Sequence, residues 1–142
     1  MTMYRRILVA IENSAADRSI LAHVSGLAEL TGAELLLVHV ADGWAARHYE
    51  DLKLRESEEM RKDRAYLDGL ASELAAHHLT VSTELAHGDP ATELIRLANE
   101  RQADLIAMST HGHRGLNDLV RGTTVSRVRH QVRIPVLLLR AQ

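Results

Sequence analysis

A glycine-bearing segment near the C-terminus has the residue types and the spacing of a phosphate site. It begins with the apolar run 105–108 (LIAM), which is typical of a buried strand. Gly112 and Gly122 follow, separated by nine residues, and Thr123 and Thr124 precede a helical pattern. Glycine lets a backbone approach an anion closely, and free N–H groups at a helix start point toward it. We therefore predict a phosphate-binding loop and a helix that begins at the two threonines, which can cap it.

The residues around this loop favour binding over catalysis. The patterns G-x-x-x-x-G-K-[ST] and G-x-G-x-x-G are absent, and the only lysines, Lys53 and Lys62, lie in a charged middle segment. Fast phosphoryl transfer needs a lysine, metal-binding carboxylates and a positioned base. The acids available near the loop are Glu12 and Asp118. We predict no catalytic residue and at most a slow ATPase.

Histidines are frequent, with nine in the chain, but their spacing does not predict a metal site. No pair has the H-E-x-x-H spacing, and no cysteine could complete a ligand set. His111 and His113 flank Gly112, and Arg114 adds positive charge beside them. We expect these three side chains to lie in the loop, within reach of a phosphate.

The order of elements predicts a parallel sheet. Apolar runs indicate buried strands at 7–11, 35–40, 105–108 and 134–139, and the alternating residues 81–85 indicate an edge strand. Helices are predicted between them. Their boundary signals are Ser14 and Asp17 as a capping box, Gly32 as a C-cap, and Asp89 and Pro90 at a helix start. A strand–helix unit repeated four times and closed by a strand favours a three-layer α/β fold with helices on both faces.

Several parts of the sequence, taken together, resemble the universal stress protein (UspA-like) family. They are RRILVAIENS near the N-terminus, the run LLLVHV, HGDP before a helix and the terminal RIPVLLLR. ATP-binding members of that family have glycine, two residues, glycine, nine residues, then glycine with serine or threonine. Here the pattern corresponds to Ser109, Gly112, Gly122 and Thr123, with serine in place of the first glycine.

This resemblance implies the strand order 3-2-1-4-5, that of adenine nucleotide alpha hydrolase-like folds. In such a sheet strands 1 and 4 are neighbours, and ligands bind beyond their carboxyl ends, where the strand order reverses. Glu12 ends strand 1 and Ser109 ends strand 4, so we expect the two regions to converge.

The resemblance also implies an adenine nucleotide as the ligand, ATP or else AMP or ADP, with or without Mg²⁺. The predicted binding residues are Ala10, Ile11, Glu12, Val40, Met108, Ser109, His111, Gly112, His113, Arg114, Gly122, Thr123 and Thr124. Glu12 stands where the family usually has aspartate, and a carboxylate there can accept from ribose hydroxyls. Such a module would act as a stress-response sensor or regulator. The alternative is a dimeric interaction protein of the same fold that binds no nucleotide, in which the glycines form a structural turn.

Length and composition limit the remaining possibilities. The 142 residues suit a single domain (1–142), and a formal charge of −2 argues against nucleic-acid binding. The N-terminus lacks a signal-peptide pattern, and no apolar run approaches the roughly 20 residues of a membrane span. We expect a cytoplasmic protein with an unknown protein partner.

The last predicted strand, Ile134–Leu139, would be an apolar sheet edge, which invites pairing with another chain. Universal stress proteins commonly dimerise through this strand, so the resemblance implies a homodimer here.

Overall fold

Five parallel strands form one sheet in the computed structural model, which describes residues 3–42, 49–110 and 115–141, without the side chains of residues 42, 49–57 and 115–122. The strands are β1 (Arg6–Ala10), β2 (Glu34–Asp42), β3 (Val81–Gly88), β4 (Leu105–Thr110) and β5 (Val136–Arg140). Their order is β3-β2-β1-β4-β5, and every pair is parallel. The predicted sheet and strand order are confirmed.

Helices cover both faces of this sheet. They are α1 (Ala16–Thr31), α2 (Tyr49–Ala75), α3 (Pro90–Glu100) and α4 (Gly115–Gln131). On one face, Ile20 of α1 and Leu67 of α2 are fully buried against β1, β2 and β4. On the other, Leu94 of α3 and Val128 of α4 join a second buried cluster. The three-layer architecture is therefore as predicted.

Continuous apolar runs produce the central strands because each needs cover on both faces. Ile7, Leu8 and Val9 of β1 have no exposed surface, and the same holds for Leu36 and Leu37 of β2. At the β5 edge, by contrast, Leu138 is 37% exposed.

Two helix boundaries follow from local residue chemistry. Gly32 adopts a left-handed conformation (φ 74°) at the end of α1, and its N–H donates to the carbonyl of Ala28. Asp89 precedes α3 and its carboxylate accepts from the N–H of Thr92, with Pro90 as the first helical residue. Both caps are as predicted.

Several predicted strand ends differ from those in the structure by one to three residues. β3 continues to Gly88 rather than ending at Leu85, because it pairs with β2 along its whole length. β5 starts at Val136 rather than at Ile134. Pro135 has no N–H to add to the ladder, although its carbonyl accepts from Ile106 at 3.1 Å.

The predicted start of the last helix was also wrong. α4 begins at Gly115, eight residues before Thr123. Leu116, Leu119 and Val120 have helical spacing. Gly122 within a helix costs only about 1 kcal/mol relative to alanine, so a glycine does not by itself stop a helix.

Within the described ranges, no helix is both long enough and apolar enough to cross a membrane.

Candidate functional site

The candidate site lies where β1 and β4 end side by side. Their register pairs Leu8 with Ile106 and Val9 with Ala107. Continued by one residue, this register puts Ala10 beside Met108. The strand order reverses between β1 and β4, and that is where ligands bind in open parallel sheets. The convergence expected from the sequence is therefore present.

An apolar surface forms one side of this region. Ala10, Val40 and Met108 come from three strands and belong to the same cluster, on the face covered by α3 and α4. Met108 is only 5% exposed, whereas Ala10 and Val40 are half-buried. Three of the predicted site residues are thus brought together by the fold.

Ser109 is the next residue along β4, and its hydroxyl is unusual. The residue is 4% exposed, yet none of the described residues provides a hydrogen-bond partner for its Oγ. A buried hydroxyl without a partner costs about 1 to 3 kcal/mol. Such a group can be paired by a ligand that binds at the end of the strand.

The loop from β1 to α1 carries the predicted residues Ile11 and Glu12. Ile11 is buried, and its N–H donates to the carbonyl of Val38 at 2.7 Å. The Glu12 carboxylate accepts from the hydroxyl of Ser14 at 3.3 Å. Glu12 therefore stands at the carboxyl end of β1, as predicted.

Asp17 organises this loop from the first turn of α1. Its carboxylate accepts from the backbone N–H groups of Glu12 (2.9 Å), Asn13 (2.9 Å) and Ser14 (3.2 Å). It also accepts from the Tyr66 hydroxyl at 2.6 Å. Burial, followed by this hydrogen bond to Asp17, raises the pKa of Tyr66 well above its ordinary value.

The predicted capping box is only partly formed. Asp17 reaches back to the N–H of Ser14, but the Ser14 hydroxyl accepts from Ala16, and the N-cap Ala15 has no side-chain cap. The sequence indicated Asp17 only as a local helix cap. The hydrogen bond that Asp17 accepts from Tyr66 joins residues 49 positions apart, and no local sequence pattern predicts it.

A second polar link, absent from the sequence-based predictions, joins the same loop to α2. Asp63 accepts from the Asn13 side chain through Oδ1 at 3.0 Å, and its Oδ2 lies 3.5 Å from Nε2 of His39. Nδ1 of His39 is 2.8 Å from the carbonyl oxygen of Ile11. The only sequence feature that points to this link is the histidine within the otherwise apolar run LLLVHV.

The residues expected to hold phosphate are placed differently from the prediction. Gly122, Thr123 and Thr124 lie inside α4. N–H groups in a helix interior donate to carbonyls four residues back, so only the first four, from Gly115 on, lack such an acceptor. The expected role of Gly122, Thr123 and Thr124 as donors at a helix start is therefore incompatible with this conformation. His111, Gly112, His113 and Arg114 lie outside the described residues.

An ion pair fixes α4 to the start of α3. Arg127 donates to the Asp89 carboxylate at 2.7 Å, and the Thr92 hydroxyl donates to the same oxygen at 2.6 Å. The hydrogen bonds from Thr92, followed by the Arg127 guanidinium, lower the pKa of Asp89. This ion pair connects Arg127 of α4 to Asp89, the N-cap residue of α3.

In the part of the chain that the structure describes, no three histidine, aspartate or glutamate side chains form a group that could hold a metal ion.

Comparison with known proteins agrees with this architecture. The model of the Universal stress protein family matches residues 3–140. A universal stress protein of Thermus aquaticus is 30% identical over 145 residues, which cover 97% of this chain and 100% of that protein.

Solved structures share the fold. The structure of MJ0577, a universal stress protein of Methanocaldococcus jannaschii, has a TM-score of 0.82 at 23% identity and covers 99% of this chain and 98% of that chain. The universal stress protein from Archaeoglobus fulgidus in complex with dAMP has a TM-score of 0.70 at 18% identity, covering 96% and 98%. Because the family match extends over nearly the whole chain, the protein belongs to the universal stress protein family.

Proposed function

We propose that this protein binds an adenine nucleotide at the carboxyl ends of β1 and β4, as a nucleotide-sensing module of a stress response. The observation that carries the proposal is the buried hydroxyl of Ser109, for which the described residues provide no partner, at the end of the strand whose Met108 contributes to the apolar surface on the other face of the sheet. A nucleotide supplies both complements: a flat apolar base and oxygen atoms that accept hydrogen bonds. The dAMP complex of the Archaeoglobus fulgidus relative, which has this fold, supports the choice of ligand.

In this arrangement the base packs against Ala10, Val40 and Met108. The ribose lies near Ile11 and Glu12, whose carboxylate can accept from its hydroxyls.

The phosphates extend toward the start of α4. The Ser109 hydroxyl donates to one of them, and the N–H groups at the start of α4 add further donors. His111, Gly112, His113 and Arg114 belong to the same loop and are proposed to contact phosphate, with Mg²⁺ as a bridging ion for ATP. Gly122, Thr123 and Thr124 would contribute backbone donors only if α4 began at Gly122 in the bound state.

Binding without fast turnover fits the residues on this edge of the sheet. Glu12 and Asp17 are the carboxylates that the described structure places at the loop after β1, and both already accept hydrogen bonds within the protein. ATP hydrolysis therefore proceeds slowly or not at all, and single-turnover measurements with labelled ATP distinguish these outcomes.

Calorimetric titration tests the proposal. AMP and ATP, with and without Mg²⁺, are titrated into wild type and into Ser109→Ala, with Ser82→Ala on the edge strand β3 as the matched control. We expect saturable binding that weakens roughly tenfold in Ser109→Ala, equivalent to one good hydrogen bond, and stays unchanged in the control. No binding up to millimolar nucleotide would instead favour an interaction protein of the same fold.

The open edge of β5 supports a homodimer as a further proposal. The carbonyl of Pro135 and the N–H of Ala141 form hydrogen bonds with β4. Because the backbone groups of successive residues in a strand point to alternate sides, those of Val136, Leu138 and Arg140 point away from β4. Leu138 is also 37% exposed. Pairing of β5 with a second copy of itself would satisfy these groups and cover the leucine.

A further inference from the structure

We propose that the groove between α1 and α2 is a second ligand site, which takes an elongated apolar molecule with a positive charge at one end. The groove has a volume of about 940 Å³, a size typical of small-molecule sites in proteins. It lies on the α1–α2 face of the sheet, whereas Ala10, Val40 and Met108 belong to the cluster on the opposite face. The inference therefore does not depend on nucleotide binding.

The walls of the groove are two apolar stripes at helical spacing. Leu21 and Ser25 contribute from α1, and Leu70 and Leu74 contribute from α2, each pair four residues apart. Leu79, just after α2, adds a further apolar side chain. Leu21 is buried, but the leucines at 70, 74 and 79 remain partly exposed. The groove thus keeps apolar surface in contact with water, and a ligand with an apolar body would cover it.

One end of the groove is electronegative. Both helices run from the carboxyl edge of the sheet to its amino edge, because each connects two parallel strands. Glu29 lies two residues before the end of α1 and Glu73 two residues before the end of α2, so the two carboxylates line the same end.

Nothing among the described residues neutralises these two carboxylates. Neither the Glu29 nor the Glu73 carboxylate accepts a hydrogen bond or forms an ion pair within the described part of the chain. The last turn of α1 and that of α2 contain no basic residue, so the negative ends of the helix dipoles add to the same potential. This end of the groove is therefore complementary to a cation.

The other end of the groove disfavours a cation and so sets the orientation of the ligand. Arg18, in the first turn of α1, lines this end and would repel a positive charge. Asp17 is also there, but its carboxylate already accepts four hydrogen bonds within the protein. We expect the charged group beside Glu29 and Glu73, with the apolar body extending along the groove toward Leu21.

Calorimetric titration with a simple amphiphilic cation tests the chemistry of the site. The probe is octyltrimethylammonium, which carries a fixed positive charge on an aliphatic chain. His77 also lines the acidic end, so the titration is made at pH 8, where imidazole is normally neutral. We expect saturable binding of this probe to the full chain.

Two related probes separate the charge from the apolar body. Octyl sulfate has the same chain and the opposite charge, and should bind roughly tenfold more weakly because it meets the two carboxylates. Butyltrimethylammonium has the same charge and a shorter chain, and should bind roughly a hundredfold more weakly because it buries fewer methylene groups.

Three variants locate the binding. Glu29→Gln combined with Glu73→Gln should weaken octyltrimethylammonium binding roughly fivefold, since each partly solvated charge contributes modestly. Asp68→Asn is the matched control, because Asp68 is an exposed acid of α2 outside the groove, and it should bind as wild type does. Ser25→Leu fills the groove and should abolish binding, and its amide NMR spectrum verifies that the variant is folded.

The contrary results are equally specific. No saturable binding of octyltrimethylammonium at millimolar concentration would overturn the site. Equal affinity for octyl sulfate, or an unchanged affinity in the double glutamine variant, would overturn the role of Glu29 and Glu73 and with it the proposed ligand class. Unchanged binding to folded Ser25→Leu would place the cation outside the groove.

Discussion

Asp17 and Ser109 are the two buried polar or charged residues in the described part of the chain, and their environments are opposite. Asp17 accepts four hydrogen bonds and is an internal anion that holds a loop. Ser109 has a buried hydroxyl with no partner among the described residues. The first pattern is typical of structure and the second of a binding site, because an unpaired buried group lowers stability without any gain in packing.

Ser109→Ala should therefore increase the stability of the ligand-free protein. Removing the unpaired hydroxyl is expected to raise the free energy of unfolding by about 1 kcal/mol. Urea denaturation of Ser109→Ala beside Ser82→Ala, a partly exposed control, measures this difference. A loss of stability in Ser109→Ala would mean that the hydroxyl has a partner in solution.

Tyr66→Phe should have the opposite effect. It keeps the ring and removes the donor to the buried Asp17, so the free energy of unfolding should fall by about 1 to 2 kcal/mol. The raised pKa of Tyr66 also predicts a pH dependence. Since the folded pKa lies above the unfolded value of 10.0, the stabilisation is complete below pH 10 and is lost as the pH rises further.

Denaturation at pH 8 and at pH 10.5 checks this sign. Wild type should lose more stability between the two values than Tyr66→Phe does. Identical slopes in wild type and Tyr66→Phe would contradict the contact with Asp17.

At the scale of elements, the N-cap of α3 also anchors α4, and the two roles can be separated. Asp89→Asn keeps a good cap but loses the charge that pairs with Arg127, whereas Asp89→Ala loses both. We expect Asp89→Ala to cost about 1 kcal/mol and Asp89→Asn clearly less, because the pair with Arg127 is solvent-exposed.

Acid titration adds a second readout for Asp89. Its pKa is lowered in the folded protein, so its contribution is present above the unfolded value of 3.8 and is lost as the pH falls through the folded value. The loss of stability on acidification should be smaller in Asp89→Asn than in wild type. A steeper loss in the variant would contradict the assignment.

The start of α4 is open to a direct test with proline. Gly122→Pro places proline in a helix interior and should destabilise the protein by about 3 kcal/mol or more, whereas Gly115→Pro falls at the first helical position and should be tolerated. Thermal unfolding compares the two variants. Equal tolerance of both would indicate that the helix begins at Thr123, as the sequence pattern predicts.

Elements defined by short-range signals could be predicted from the sequence. The strands follow from apolar runs, and the caps at Gly32 and Asp89 follow from the residues themselves. The partners of Asp17 and His39 could not be predicted, because Tyr66 and Asp63 become neighbours only once α2 packs on the sheet. The predicted start of α4 is wrong because glycine marks many loops, whereas this helix absorbs the cost of Gly122 in its interior.

At the scale of the whole molecule, β5 leaves one side of the sheet open. Val136→Pro removes an outward N–H without touching the bonds from β5 to β4, so it should block pairing between two copies. We expect a dimer for wild type and for the control Val136→Ala, and monomer or aggregate for Val136→Pro, in sedimentation velocity. An unchanged dimer in the proline variant would place the interface elsewhere.

The most direct test of the nucleotide site is a ¹H–¹⁵N NMR titration of the wild-type protein with AMP and with ATP. The account predicts progressive amide shifts at Ala10, Glu12, Val40, Met108 and Ser109. These residues lie at the carboxyl ends of β1, β2 and β4 or in the loop that follows β1. Shifts confined to the opposite edge, or no shift at millimolar nucleotide, would contradict the account.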